Sequence, residues 1–76
     1  MVTMTTEVRL FATFRNGRGK KVHIEMAQPT PRKLLASIDI DEDDVAILLV
    51  NGQDGTFDQE LIEGDYLSVF PPVGGG

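Results

Sequence analysis

No cysteine occurs anywhere in this 76-residue chain. Disulfides, thiolate metal sites, iron–sulfur clusters and a cysteine nucleophile are therefore excluded together. No basic residue follows Lys33. No apolar run is longer than Val45-Ala46-Ile47-Leu48-Leu49-Val50, far too short to cross a bilayer as a helix. The first residues lack the charged and apolar regions of a secretory signal, so the expected location is cytoplasmic, with no membrane partner. Internal repeats and linker-like stretches are also missing, which leaves one small domain with a single core.

What is present is ordinary globular composition, 41% hydrophobic and 25% charged, and this argues against a disordered chain. The net charge of −5 hides a segregation. Residues 1 to 33 carry seven basic and two acidic side chains, whereas the ten acids from Asp39 to Asp65 face no basic residue at all. An acidic second half would steer the chain toward a basic partner surface and repel nucleic acid. The plainer reading is a solvated surface that keeps a small protein soluble.

Alternation over residues 6 to 14 puts Val8, Leu10, Ala12 and Phe14 on one face and Glu7, Arg9, Phe11 and Thr13 on the other, the period of a half-buried strand. Arg15-Asn16-Gly17-Arg18-Gly19 reads as a turn, and residues 21 to 26 alternate again with Val22, Ile24 and Met26 inward, completing a hairpin. Thr30 is a good N-cap and Pro31 suits the first helical position, so a short helix is expected over residues 31 to 38. After an acidic connection, the apolar run ending at Val50 predicts a central strand covered on at least one side. Asn51-Gly52 and Asp54-Gly55 are turn signals; Thr56-Phe57 suggests a short strand and residues 58 to 63 a loop with one helical turn. Glu63-Gly64-Asp65 turns the chain into a last strand over residues 66 to 70. A hairpin, one helix and further strands sharing a single core predict an α+β, β-grasp architecture: a mixed sheet of four to five strands with the helix across one face.

Several motifs fail on inspection. Asp39, Asp41 and Asp43 alternate like calcium-loop ligands, but Asp44 stands where the turn glycine is needed and Val50 where the bidentate glutamate belongs. Gly17-Arg18-Gly19-Lys20-Lys21 lacks the spacing, the Ser/Thr and the following helix of a phosphate loop, and its basic tip holds no aromatic for stacking nucleic acid. His23 is alone and predicted on the helix-free face, which makes no metal site. No serine has a local nucleophile motif, so the chain is not expected to be an enzyme by itself.

Two features remain. Phe11 and Phe70 fall on positions opposite the core set, with Tyr66 on the same side as Phe70, and exposed aromatics in register are candidate partner anchors. One of them could instead cover a sheet edge or pack on the tail. The chain then ends in Pro71-Pro72-Val73-Gly74-Gly75-Gly76. The prolines favour an extended start and glycines present no Cβ to an enclosing wall. Six extended residues reach roughly 20 Å, enough to carry a terminal carboxylate away from a small body. Terminal glycines are also what an unstructured end or an added scar looks like. The expected division is a domain over residues 1–70 and a flexible tail over 71–76.

Leu10-Phe11-Ala12-Thr13-Phe14-Arg15, Val50-Asn51-Gly52, and Glu63-Gly64-Asp65 leading to Phe70-Pro71-Pro72-Val73-Gly74-Gly75-Gly76 together resemble the ubiquitin-like sulfur carriers over nearly the whole chain. The resemblance is closest to the small subunit of molybdopterin synthase (MoaD type) and looser to the thiamine-pathway carrier (ThiS type). It implies that an activating enzyme like those that charge ubiquitin uses MgATP to adenylate the Gly76 carboxylate, which a sulfur donor converts to a thiocarboxylate. Gly75 and Gly76 would carry the chemistry, and Phe11, Phe70, Pro71, Pro72, Val73 and Gly74 would bind partners. The sulfur acceptor would be the large molybdopterin synthase subunit or a thiazole synthase, and the chain would hold no permanent cofactor or metal. Gly74 stands where the family commonly has another small or polar residue, and Asp54 where the molybdopterin carrier tends to be apolar. The competing readings are a modifier joined through Gly76 to lysines of other proteins and a passive interaction unit with an inert tail.

Overall fold

The structure is a computed structural model and describes residues 2–72. Five strands form one mixed sheet: β1 (Met4–Leu10), β2 (Lys21–Met26), β3 (Ile47–Val50), β4 (Gln53–Asp54) and β5 (Tyr66–Phe70). Their order across the sheet is β2-β1-β5-β3-β4. Antiparallel pairing joins β1 to β2, β3 to β5 and β3 to β4, while β1 and β5 run parallel with Val8 opposite Leu67 and Leu10 opposite Val69. The β-grasp expectation, with five strands, is the observed fold.

One helix, α1 (Pro31–Ser37), follows from local chemistry. Thr30 is extended and its Oγ1 accepts from Lys33 N at 3.2 Å, satisfying one of the orphan donors of the first turn. Asp39 at φ +62° ends the helix one residue earlier than predicted, with Ile40 N bonded back to Leu35 O at 2.9 Å. The helix sends Leu34 and Leu35 into the sheet's inner face, where they meet Val8, Leu10, Leu48, Val50, Leu67 and Val69 in one buried cluster. Loss of either leucine side chain would cost about 2–5 kcal/mol. Arg18, in the connection after β1, holds the helix's C-terminal end by donating to Ile38 O at 3.0 Å and Asp39 O at 3.4 Å.

Four local expectations are corrected. The first strand stops at Leu10, because Ala12 adopts φ +54° and opens a 3-10 turn over Ala12–Arg15; Phe14 still reaches the core through that turn, but Ala12 is exposed rather than inward. The apolar run yields only β3, and β5 takes the centre because its parallel pairing with β1 inserts it between β1 and β3. Ile47 is consequently 49% exposed. The short strand is Gln53–Asp54, formed by folding back on β3 through a two-residue turn in which Asn51 and Gly52 both have positive φ. Phe57 instead packs against the core. Residues 58 to 63 form no helical turn; Leu61 is buried there, with its N bonded to Pro29 O at 3.0 Å.

Candidate functional site

The alternation of β1 and β5 places Phe11 and Phe70 on the face of the sheet away from the helix, and the fold brings them together. Their rings stack with centroids 4.2 Å apart and planes 13° from parallel. Each is half-buried, so part of the stack stays open to a partner. Arg15 caps it: its guanidinium lies 5.3 Å from the Phe11 ring centroid, and its Nε donates to Leu10 O at 2.8 Å. Phe70 is anchored from the other side by β3, where Ile47 is its register partner and Ala46 N donates to Phe70 O at 2.8 Å.

An open cleft of about 710 Å³ lies beside this stack. Ala12, Phe14, Ile47, Phe70, Pro71 and Pro72 line it, with Asp44 the one acid among its lining residues. Pro71 and Pro72 therefore leave the sheet along an apolar wall. The acidic 3-10 turn Glu42–Asp44 leads into β3, so part of the negative half predicted from sequence stands next to the root of the tail. Val73, Gly74, Gly75 and Gly76 lie outside the described residues.

Toward β2 the same face changes character. Arg9 lies 4.0 Å over the Tyr66 ring and donates through Nε to Glu7 Oε2 at 2.5 Å. His23 Nε2 and Lys21 Nζ approach the other oxygen of Glu7 at 3.4 and 4.0 Å. The hydrogen bond from Arg9, helped by the nearby Lys21 and His23, holds the Glu7 carboxyl below its usual range. His23 is exposed on the helix-free face, as predicted. Among the described residues, no group of His, Asp and Glu is arranged to hold a metal ion, and no helix is long and apolar enough to cross a membrane.

Sequence reasoning paired Phe11 with Phe70 but missed Arg15, Ile47 and Asp44 around them. Ile47 was legible, since an outward position in an apolar strand is an alternation signal; Asp44 depends on where the acidic turn lands. The Asn51-Gly52 and Glu63-Gly64-Asp65 segments prove to be one structural unit. Asn51 Nδ2 donates to Asp65 Oδ1 at 2.8 Å, and Asp65 Oδ2 accepts from Ile62 N at 2.9 Å. They fix the entry into β5 and hence the position of Phe70.

Solved structures share this fold. A protein from Pyrococcus furiosus assigned as molybdopterin converting factor subunit 1 is 32% identical, with 92% of this chain and 99% of that chain covered and a TM-score of 0.74. SAMP1 from Haloferax volcanii is 25% identical over 95% of this chain and 99% of that one, with a TM-score of 0.72. In a complex of subunits 1 and 2 of molybdopterin-converting factor from Helicobacter pylori, the matching chain is 25% identical, with coverage of 96% and 100% and a TM-score of 0.65. A search of curated protein sequences returned no match. The ThiS family matches residues 8–76, which takes in all of the sheet except the start of β1, and the chain belongs to that family.

Proposed function

We propose that this chain is a sulfur carrier whose reacting group is the Gly76 carboxylate. A carboxylate is a poor electrophile because its charge is delocalised and its oxygen leaves badly. An adenylyltransferase resembling ubiquitin-activating enzymes would let the carboxylate attack the α-phosphate of MgATP, expelling pyrophosphate and leaving an acyl adenylate. Hydrosulfide released by a sulfur donor then attacks the acyl carbon, breaking its bond to AMP and losing its proton, so a terminal thiocarboxylate and free AMP result. The chain acts as cargo bearer, not as catalyst, and its lack of cysteine is no obstacle because sulfur rides on a carbonyl.

The observation that carries this reading is the stacked Phe11–Phe70 pair at the root of Pro71-Pro72, within a family match that extends to residue 76. A partner gripping the stack would hold the base of the tail while its glycines enter a narrow site, where any Cβ would need more room. Sulfur delivery to molybdopterin is favoured over thiazole synthesis by the two molybdopterin converting factor neighbours. The Helicobacter pylori complex supports a large synthase subunit as the acceptor.

The test is to incubate the protein with its activating enzyme, MgATP and a sulfide source and to weigh it. A mass gain equal to exchange of one oxygen for one sulfur is expected; an unchanged mass under conditions that consume ATP would count against the carrier. A second reading, a protein modifier, is favoured by the likeness to SAMP1. Denaturing immunoblots separate the two, since covalent ladders mark a modifier and the free chain alone marks a carrier.

A further inference from the structure

One edge of the sheet is closed by the two-residue β4, but the other is the full length of β2, Lys21–Met26, and among the described residues no strand pairs with its outer side. Antiparallel strands alternate between hydrogen-bonded and non-bonded pairs. Leu10 N donates to Lys20 O at 2.8 Å, so in the same register Val8–Val22, Thr6–Ile24 and Met4–Met26 are the bonded pairs of β1 and β2. The backbone groups of Lys21, His23 and Glu25 therefore point away from β1, toward the open edge. An unpaired row of this kind is a template for another strand.

The side chains on that row are complementary to themselves. Turned about a two-fold axis through His23, the strand sets Lys21 against Glu25 of a second copy, Glu25 against its Lys21, and Val22 against its Ile24. This register also matches the open backbone groups, because it pairs only residues 21, 23 and 25 through hydrogen bonds. Val22, Ile24 and Met26 are only half-buried against the core, and a second strand would cover the first two. Shifting the two copies by one step either way loses both Lys–Glu pairs. From this free edge and its charge pattern we propose that two copies of the chain associate through β2, antiparallel and centred on His23, into one continuous ten-stranded sheet.

The axis stands perpendicular to the sheet, so both helices stay on one side. The Phe11–Phe70 stacks lie between β1 and β5, away from the seam, and both remain open. The contact is small, which makes the association weak, with a dissociation constant on the order of 0.1–1 mM.

Sedimentation equilibrium over a concentration series of the full chain tests this, with circular dichroism to establish that each variant is folded. Lys21→Glu and Glu25→Lys each place like charges across the seam twice, and each should weaken self-association at least fivefold. Mixing the two single variants restores opposite charges at both positions, so an equimolar mixture should associate about as strongly as the parent while each variant alone stays at least fivefold weaker. The double variant, with the charges exchanged, should dimerise like the parent. A parent chain that stays monomeric at about 1 mM overturns the proposal, as does a dimer indifferent to these reversals or a mixture that fails to recover.

Discussion

Asn51 and Asp65 close the sheet's β3 and β5 ends against each other through a side-chain hydrogen bond of 2.8 Å. Asn51 also accepts from Tyr66 N at 3.0 Å through Oδ1 and donates its own N to Tyr66 O at 2.9 Å, all from a residue at φ +55°. Asparagine tolerates that conformation better than other residues with a Cβ. Asn51→Ala should cost about 2 kcal/mol, combining lost hydrogen bonds with left-handed strain. Asn51→Gly should cost about half as much, because only the bonds are lost. Urea unfolding of both variants checks the difference, and equal losses would show that the backbone is unstrained.

At Gly55 the sheet leaves no room. A Cβ there would lie 2.6 Å from Val50 Cγ2 and 2.8 Å from Gln59 Oε1. Gly55→Ala must push Val50, a core side chain, and should destabilise by about 1–3 kcal/mol. A thermal melt is sufficient to read it.

Arg32 binds Asp58 through two bonds, Nε to Oδ1 at 2.9 Å and Nη2 to Oδ2 at 3.2 Å, and also contacts Glu42. The guanidinium lowers the Asp58 pKa from its ordinary 3.8. A depressed carboxyl stabilises the folded state above its unfolded value and loses that contribution as pH falls through the folded one. Parent stability should therefore decline below about pH 4 more steeply than that of Asp58→Asn, and the two curves should converge at lower pH. Because the pair is exposed, the gap should be small and should shrink in high salt. Denaturant titrations across pH 2–6 would reveal it, and parallel curves would mean the pair does not influence stability.

Truncating one ring of the stack should leave the fold intact and weaken docking. Phe70→Ala is expected to reduce affinity for the activating enzyme or synthase subunit by tenfold or more, about 2 kcal/mol, while folding stability falls by only about 1 kcal/mol. Calorimetric binding alongside chemical unfolding distinguishes the two effects. Undiminished binding would remove the stack from the interface.

Deleting Gly75 and Gly76 should abolish the oxygen-for-sulfur mass gain without moving the melting temperature. Among the described residues, the buried side chains all precede residue 70. A lowered melting temperature would mean that these glycines support the body.

Much of this fold is readable in local chemistry. The hairpin's second strand, the Thr30 cap with Pro31 and the glycine turns appear where the residues demand them. The misplacements have two causes: the centre of the sheet depended on a strand remote in sequence, whereas the end of β1 and the short strand turned on local backbone choices that alternation does not reveal. Nothing local to residues 45–50 says that β5 will insert between that run and β1, and nothing at Thr56-Phe57 says that Gln53–Asp54 will fold back first. Ala12 carried the alternation forward, yet a single left-handed residue ended the strand. The stack was legible as two outward aromatics, whereas Arg15 over Phe11 required the 3-10 turn to be known.

Among the described residues, the sheet's middle strand is also the last in chain order. Until residues 66 to 70 emerge, β1 and β3 have nothing between them, and closing that gap spans almost the whole chain. A chain stopped at Asp65 should accordingly lack dispersed amide resonances in an NMR spectrum. On the proposed carrier reading, synthesis order would act as a gate, since an activating enzyme that grips the finished stack would meet Gly76 only on a body that has already assembled.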